Sequence, residues 1–243
     1  MSGHSRWAGI KHKKGAIDAK RGKVFTKIIR EVTIAAKTGG GVVENNPRLR
    51  KAMEDAKAAN MPLDNVKKAI ARGSGEIPGV VFEEVSYEGY GPGGAAVMVT
   101  GTTDNRNRTT SDLRKVFADH GGNMGESGCV AWNFSLKGHI VVEKAVFPDE
   151  DKLMTAALDA GAEDIKSDGP EIFEIVTAPA AFEKVKTALT AAQVPMASAE
   201  VTMLPGTLVA LEGGPAEKMV ALVEELENYD DVKDVYTNAD IKG

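Results

Sequence analysis

Residues 138–203 read GHIVVEKAVFPDEDKLMTAALDAGAEDIKSDGPEIFEIVTAPAAFEKVKTALTAAQVPMASAEVTM, and this stretch decides the fold. Short apolar runs and helical periods alternate along it in a recognisable order. The pattern predicts a strand over 139–144, a helix over 149–160 and strands over 162–168 and 171–177. A helix over 179–191 and a strand over 196–203 complete it. Asp168-Gly169-Pro170 supplies the turn between the middle strands. The order βαββαβ is that of a ferredoxin-like plait, complete within these residues.

The flanks do not close so neatly. Upstream, residues 82–87 and 95–101 read as strands joined by a Gly-rich loop. A helix over 107–119 follows, then Val130, Trp132, Phe134 and Leu136 alternate as in a half-buried strand. Downstream come a strand over 207–211, a helix over 215–228 and a strand over 232–237. Neither flank makes a comfortable domain alone. Together they can close one antiparallel sheet with two helices on one face. The expected organisation is a discontinuous plait domain, 79–137 plus 204–243, with the domain 138–203 inserted into it.

Residues 1–78 have another texture. Residues 2–15 are basic and aperiodic, an extended arm with no core of its own. Over 16–37, Ile17, Val24, Phe25, Ile28, Val32 and Ala35 fall on one helical face, and Lys20, Lys23, Lys27 and Arg30 line another. Thr38-Gly39-Gly40-Gly41 ends that helix. Pro47 starts a second over 47–59, and a third spans 63–72 after the break Asn60-Met61-Pro62. The fold class is therefore multidomain α+β: an N-terminal three-helix domain and two ferredoxin-like plaits, one inside the other.

Charge separates the halves. Residues 1–80 hold 17 Lys and Arg against 7 Asp and Glu, a net of +10. Residues 81–243 hold 13 against 28, a net of −15. A polyanion-binding arm on a non-binding body has this layout. The candidate nucleic-acid contacts are Arg6, Trp7, Lys11, His12, Lys13, Lys14, Lys20, Arg21, Lys23, Lys27 and Arg30. Lys and Arg supply charges for phosphate, and Trp7 stacks on a base or on the protein body. Lys67, Lys68 and Arg72 are secondary candidates, because the helices 47–59 and 63–72 have a helix-turn-helix-like outline.

The remaining motifs carry less. The 27% of charged and 42% of apolar residues suit a water-exposed surface around a real core, whereas an aromatic content of 5% disfavours an aromatic-rich carbohydrate or stacking surface. One cysteine, Cys129, excludes a disulfide framework and a four-Cys zinc site, and reads as a buried inert thiol. None of His4, His12, His120 and His139 has zinc-ligand spacing, so no metal or other cofactor is expected. Gly89–Gly94 matches G-x-G-x-x-G, but a strand follows it where a dinucleotide site needs a helix, so it reads as a hairpin. The loop Thr102–Thr109, TTDNRNRT, offers Arg106 and Arg108 either to an anion at the helix N-terminus or to local acids as ion pairs. Trp132 is a weaker stacking candidate, since Val130, Phe134 and Leu136 would share its face and point to the core. No catalytic pairing, small-molecule site, signal segment or membrane-length apolar run is evident. The expected protein is cytoplasmic and not an enzyme.

Four stretches give a resemblance: GHSRWAGIKHKKGAIDAKRGKVFTKIIREV, YEGYGPGG, TDNRNRT and GGNMGESGCVAWNF. They resemble the YebC/PmpR family, which includes the mitochondrial translational activator of cytochrome c oxidase. The resemblance covers essentially the whole chain. It implies three domains, no enzymatic activity and no required cofactor. It also implies either a DNA-binding transcriptional regulator or a ribosome-associated translation factor that helps synthesis through proline-rich stretches. This chain has Arg6 where family members often have Lys, and Gly9 where they often have Asn. Both changes are mild for phosphate binding. The helix-turn-helix outline speaks for DNA, while the acidic body, which would resist lying along a duplex, speaks for RNA.

Overall fold

The computed structural model describes residues 21–167 and 169–241, apart from the side chain of Arg21. It is a mixed α+β structure. Three helices come first: α1 (Arg21–Gly39), α2 (Pro47–Ala58) and α3 (Leu63–Gly73). Val32, Ala35, Leu49, Ala52, Val66 and Ala69 form their shared core. Buried Asn46 fastens the first two helices together. Its side-chain oxygen caps α2 by accepting from Leu49 N–H, and its Nδ2 donates to the carbonyls of Ala35 and Gly40 at the end of α1. Gly73 lets α3 approach α1, because a Cβ there would stand 2.3 Å from the Thr33 carbonyl oxygen.

The first sheet uses β1 (Glu83–Tyr90), β2 (Ala96–Thr103), β3 (Asn123–Met124) and β9 (Val232–Thr237) in the order β3-β1-β2-β9. Helix α4 (Arg106–Asp119) and helix α7 (Gly213–Asn228) cover one face. Strand β2 is buried on both sides. Val97 and Val99 face the helices with Leu113, Phe117, Met219 and Leu222, whereas Ala96 and Met98 pack on Val130 and Phe134. This explains why β2 reads as a continuous apolar run. The loop Gly91–Gly94 is a hairpin turn: Gly93 and Gly94 have positive φ, and a Cβ on Gly91 would meet Met219 Sδ at 2.6 Å.

The second large sheet has the order β5-β6-β4-β7. It is built from β4 (Phe134–Glu143), β5 (Ala162–Lys166), β6 (Ile172–Thr177) and β7 (Ser198–Pro205). Helices α5 (Glu150–Ala160) and α6 (Phe182–Ala191) pack on it around Ile140, Leu153, Phe173, Ile175, Val185 and Leu189.

Three sequence expectations change. The strand expected over 130–136 is instead a 3-10 turn at Ala131–Asn133 followed by β4, which runs from Phe134 along β7. The strand expected over 162–168 ends at Lys166. The downstream strand, β8 (Val209–Leu211), pairs in parallel with β10 (Ala239–Ile241) as a separate two-stranded ribbon and does not join the first sheet. In each case a tertiary partner, which periodicity does not see, sets where pairing starts and stops.

Candidate nucleic-acid interface

The basic stripe of α1 meets the body of the protein. Lys23 Nζ donates to the Asn228 carbonyl at 2.8 Å, and Lys27 Nζ donates to the Glu227 carbonyl at 2.6 Å. These are among the last carbonyls of α7, which lack intrahelical partners and carry the negative end of the helix dipole. One turn on, Arg30 Nη1 donates to the carbonyls of Asp230 (2.7 Å) and Thr102 (3.1 Å) and to the Asp231 carboxylate. Burial pushes the Lys27 pKa down, against the pull of Glu227, Asp234 and Asp230. Lys23, Lys27 and Arg30 therefore serve an internal latch between α1 and the first sheet, where the sequence had suggested a face open to nucleic acid. Helical spacing places them on one face, but it cannot say what covers that face.

Asp231 is the centre of this latch. It is 4% exposed and accepts from Arg30, Arg108 Nη2 (3.0 Å), Thr103 Oγ1 (3.0 Å) and Thr109 Oγ1. Burial would raise its pKa, but the hydrogen bonds from Thr109, Arg108 and Arg30 outweigh burial and leave it below the usual carboxylate range. A second tie runs beside it: Arg48 bridges Glu31 (2.7 Å) and Glu84 (2.8 Å), and Lys233 reaches Glu31 at 3.0 Å. The loop 102–109 takes the ion-pair alternative. Asn105 caps α4 by accepting from Arg108 N–H, Arg108 pairs with Asp104 and Asp231, and Arg106 lies 3.5 Å from Glu83.

The other candidates divide in two. Arg6, Trp7, Lys11, His12, Lys13, Lys14 and Lys20 lie outside the described residues, as does the Arg21 side chain. On α3, Lys67, Lys68 and Arg72 are exposed, so this helix presents cations to solvent. Arg72 lies over Gly79, where an added Cβ would be 3.0 Å from its Cδ.

Sequence reading missed Glu88 and placed Trp132 on the wrong side of the chain. Glu88, 6% exposed, reaches from β1 into the loop 125–131 and accepts from the N–H groups of Gly128 (2.7 Å), Val130 (2.8 Å) and Ala131 (2.8 Å). Burial pushes its pKa up, but these three bonds outweigh it and hold the carboxyl below its ordinary range. Nothing in the sequence marks this role, because Glu88 and its donors are 40 or more residues apart. Half-buried Cys129 has its thiol pKa raised by burial and by Glu88, as suits an inert thiol. Trp132 is 74% exposed and Leu136 is exposed as well, so the expectation that Trp132 shares a core-facing side with Val130, Phe134 and Leu136 is corrected. The 3-10 turn breaks the alternation and turns its indole outward. Among the described residues, no group of three or more His, Cys, Asp or Glu is placed to hold a metal ion, and no helix is long and apolar enough to cross a membrane.

The fold and this latch define a class: a mixed α+β chain in which a cation-rich helical module is clamped to an acidic two-sheet body. Comparison with known proteins supplies the family. The profile of the TACO1/YebC N-terminal domain matches residues 5–76, and that of the TACO1/YebC second and third domain matches residues 82–239. The chain belongs to the TACO1/YebC family. A relative from Endomicrobium trichonymphae is 55% identical over 99% of this chain and 96% of its own length. One from Citrifermentans bemidjiense is 57% identical with the same coverage. Both are named "Probable transcriptional regulatory protein". The crystal structure of a conserved hypothetical protein from Aquifex aeolicus is similar with a TM-score of 0.80 at 48% identity, covering 98% of both chains.

Proposed function

We propose that this protein is a non-enzymatic, nucleic-acid-binding regulator of gene expression. In this reading its N-terminal region makes the polyanion contact and its two sheets form a body that stays off the phosphates. The carrying observation is the charge partition, +10 over residues 1–80 against −15 over the rest. The structure supports a refinement. With Lys23, Lys27 and Arg30 engaged by the body, the contact falls to Arg6, Lys11, Lys13, Lys14 and Lys20 in the arm, joined by Lys67, Lys68 and Arg72 on α3. The names of the relatives favour a DNA-binding regulator of transcription.

A second reading has its own support. A body of net −15 is repelled by a long duplex, whereas an arm can thread between folded RNA strands while the body stays outside. In this reading the protein is a ribosome-associated translation factor. One experiment separates the two. The native protein in a cleared lysate is followed on a sucrose gradient at two salt concentrations, with RNase or DNase treatment. DNase-sensitive association away from ribosomes supports the transcriptional reading. Co-sedimentation with ribosomes or their subunits, lost with RNase only, supports the translational one. Binding should also weaken with salt at a log–log slope of about −0.7 to −0.9 per phosphate contact. Binding indifferent to salt and to Lys11→Glu, Lys13→Glu and Lys14→Glu together refutes the arm's role.

A further inference from the structure

We propose that Trp132 and Tyr90 form a preorganised stacking platform for unpaired nucleobases; the inference rests on the nucleic-acid-binding reading above. Trp132 Nε1 and Tyr90 Oη both donate to one oxygen, the Cys129 carbonyl, each at 3.0 Å. The polar tips of the indole and the phenol therefore meet at one point of the loop. They come from separate segments, Tyr90 from the end of β1 and Trp132 from the turn before β4. Both remain open to solvent, at 39% and 74% exposure.

The mount is rigid on both sides. Before Trp132, Glu88 holds the N–H groups of Gly128, Val130 and Ala131. After it, the buried Asn133 side chain accepts from Thr207 N–H and Oγ1 (2.9 Å each) and donates to the Thr207 carbonyl (3.2 Å). The Asn133 carbonyl also accepts from Gly206 N–H at 2.7 Å. An indole in such a frame loses little further freedom when a ligand stacks on it, so its contact energy is largely kept.

Geometry selects the occupant. The indole N–H is satisfied internally, so the ring offers faces and no edge donor. Face stacking is how proteins bind single-stranded bases regardless of sequence, at about 1–3 kcal/mol per base. A docked protein needs about 800 Å² from each partner. One tryptophan presents at most about 250 Å², and its loop neighbours Glu126, Ser127 and Gly128 are exposed and non-apolar. The platform has the area for a base or two and falls well short of a protein interface.

The test uses the full chain and labelled 12-nucleotide oligonucleotides, single-stranded RNA and DNA, and blunt duplexes of the same sequence. Trp132→Ala should weaken single-strand binding about 5- to 150-fold, the range that stacking one base covers, and duplex binding less than twofold. Trp132→Phe should retain most of the affinity. In protein carrying 5-fluorotryptophan, one of the two fluorine resonances should disappear in Trp132→Phe, and in the wild type that resonance should shift with single strands only. If Trp132→Ala leaves single-strand affinity unchanged and the resonance stays still, while Lys11→Glu with Lys13→Glu abolishes binding, the platform is refuted and the functional reading stands. If the resonance moves with a proline-rich peptide but with no oligonucleotide, the rings take protein and the proposal is overturned. If the wild type binds none of these nucleic acids, both readings fall.

Discussion

Replacing Asp231 tests whether the helical module is latched to the body as described. The carboxylate is buried and accepts from one arginine of α1, one of α4 and two threonine hydroxyls. Removing one member of a buried ion pair generally costs about 3–5 kcal/mol, because the partner charge is left behind. Three features place Asp231→Ala at the low end. Arg30 keeps the carbonyls of Asp230 and Thr102, Arg108 keeps Asp104, and Thr103 and Thr109 still bond each other at 2.8 Å. The expected loss is about 3 kcal/mol. Asp231→Asn keeps the shape and loses the charge, and should cost about 2 kcal/mol. Arg30→Met keeps an unbranched apolar stem, removes the guanidinium that lies over Phe82 and leaves Asp231 its other donors, for a loss of about 1–2 kcal/mol. The assay is urea unfolding of the full chain followed by circular dichroism. With a slope near 3 kcal/mol per molar, as suits a chain of this length, Asp231→Ala should lower the midpoint by about 1 M. The double variant Arg30→Met/Asp231→Asn should be less destabilised than the sum of its parts, with a coupling of about 1 kcal/mol. A midpoint shift under about 0.3 M for Asp231→Ala, or strict additivity of the pair, would refute the latch.

Acid should loosen the structure in a defined window. Asp231 and Glu88 both titrate lower folded than unfolded, so their stabilisation is complete above the ordinary carboxylate pKa of about 4 and is lost as pH falls through their folded values. Asp231→Asn should flatten the pH dependence of the unfolding midpoint below about pH 4, and a curve parallel to wild type would count against this assignment. Glu88→Ala orphans three N–H groups and should cost about 3 kcal/mol or more, with faster amide exchange at Gly128, Val130 and Ala131 as the local readout. At Gly101 a Cβ would stand 2.1 Å from the Asp231 carbonyl oxygen, so Gly101→Ala should destabilise by about 1–3 kcal/mol, measured by the same unfolding assay. Lys67→Ala, Lys68→Ala and Arg72→Ala together should reduce the salt slope of nucleic-acid binding without moving the urea midpoint. An unchanged slope would remove α3 from the interface.

Legibility differed between elements for physical reasons. The plait strands and helices expected over residues 138–203 repeat their apolar pattern locally, so order and type can be read from spacing, although β4 begins earlier, at Phe134. The strand character of β2 shows in Ala95-Ala96-Val97-Met98-Val99, and its burial on both faces is a finding of the structure. The turn at Ala131–Asn133 was not legible. Alternation of Val130, Trp132, Phe134 and Leu136 mimics a strand, and the Glu88 and Asn133 bonds that impose a turn come from segments far away in sequence. The separate ribbon of β8 and β10 was hidden for the same reason: pairing is a choice among partners, which a single strand's pattern does not record.

The amino-acid sequence by itself determines most of the helices and longer strands, the α+β class and the separation of charge, because periodicity and composition are local properties of the chain. Which cations are available is decided only in three dimensions. Lys23, Lys27 and Arg30 carry the same charge as Lys67, Lys68 and Arg72, yet the first set meets the carbonyls at the end of α7 and the Asp231 carboxylate while the second faces water. The same holds for the aromatics: only the folded loop, pinned by a buried glutamate and a buried asparagine, turns Trp132 outward and gives it the same carbonyl acceptor as Tyr90. A side chain's charge and shape are written in the sequence, but its partners are set by where packing brings distant segments together.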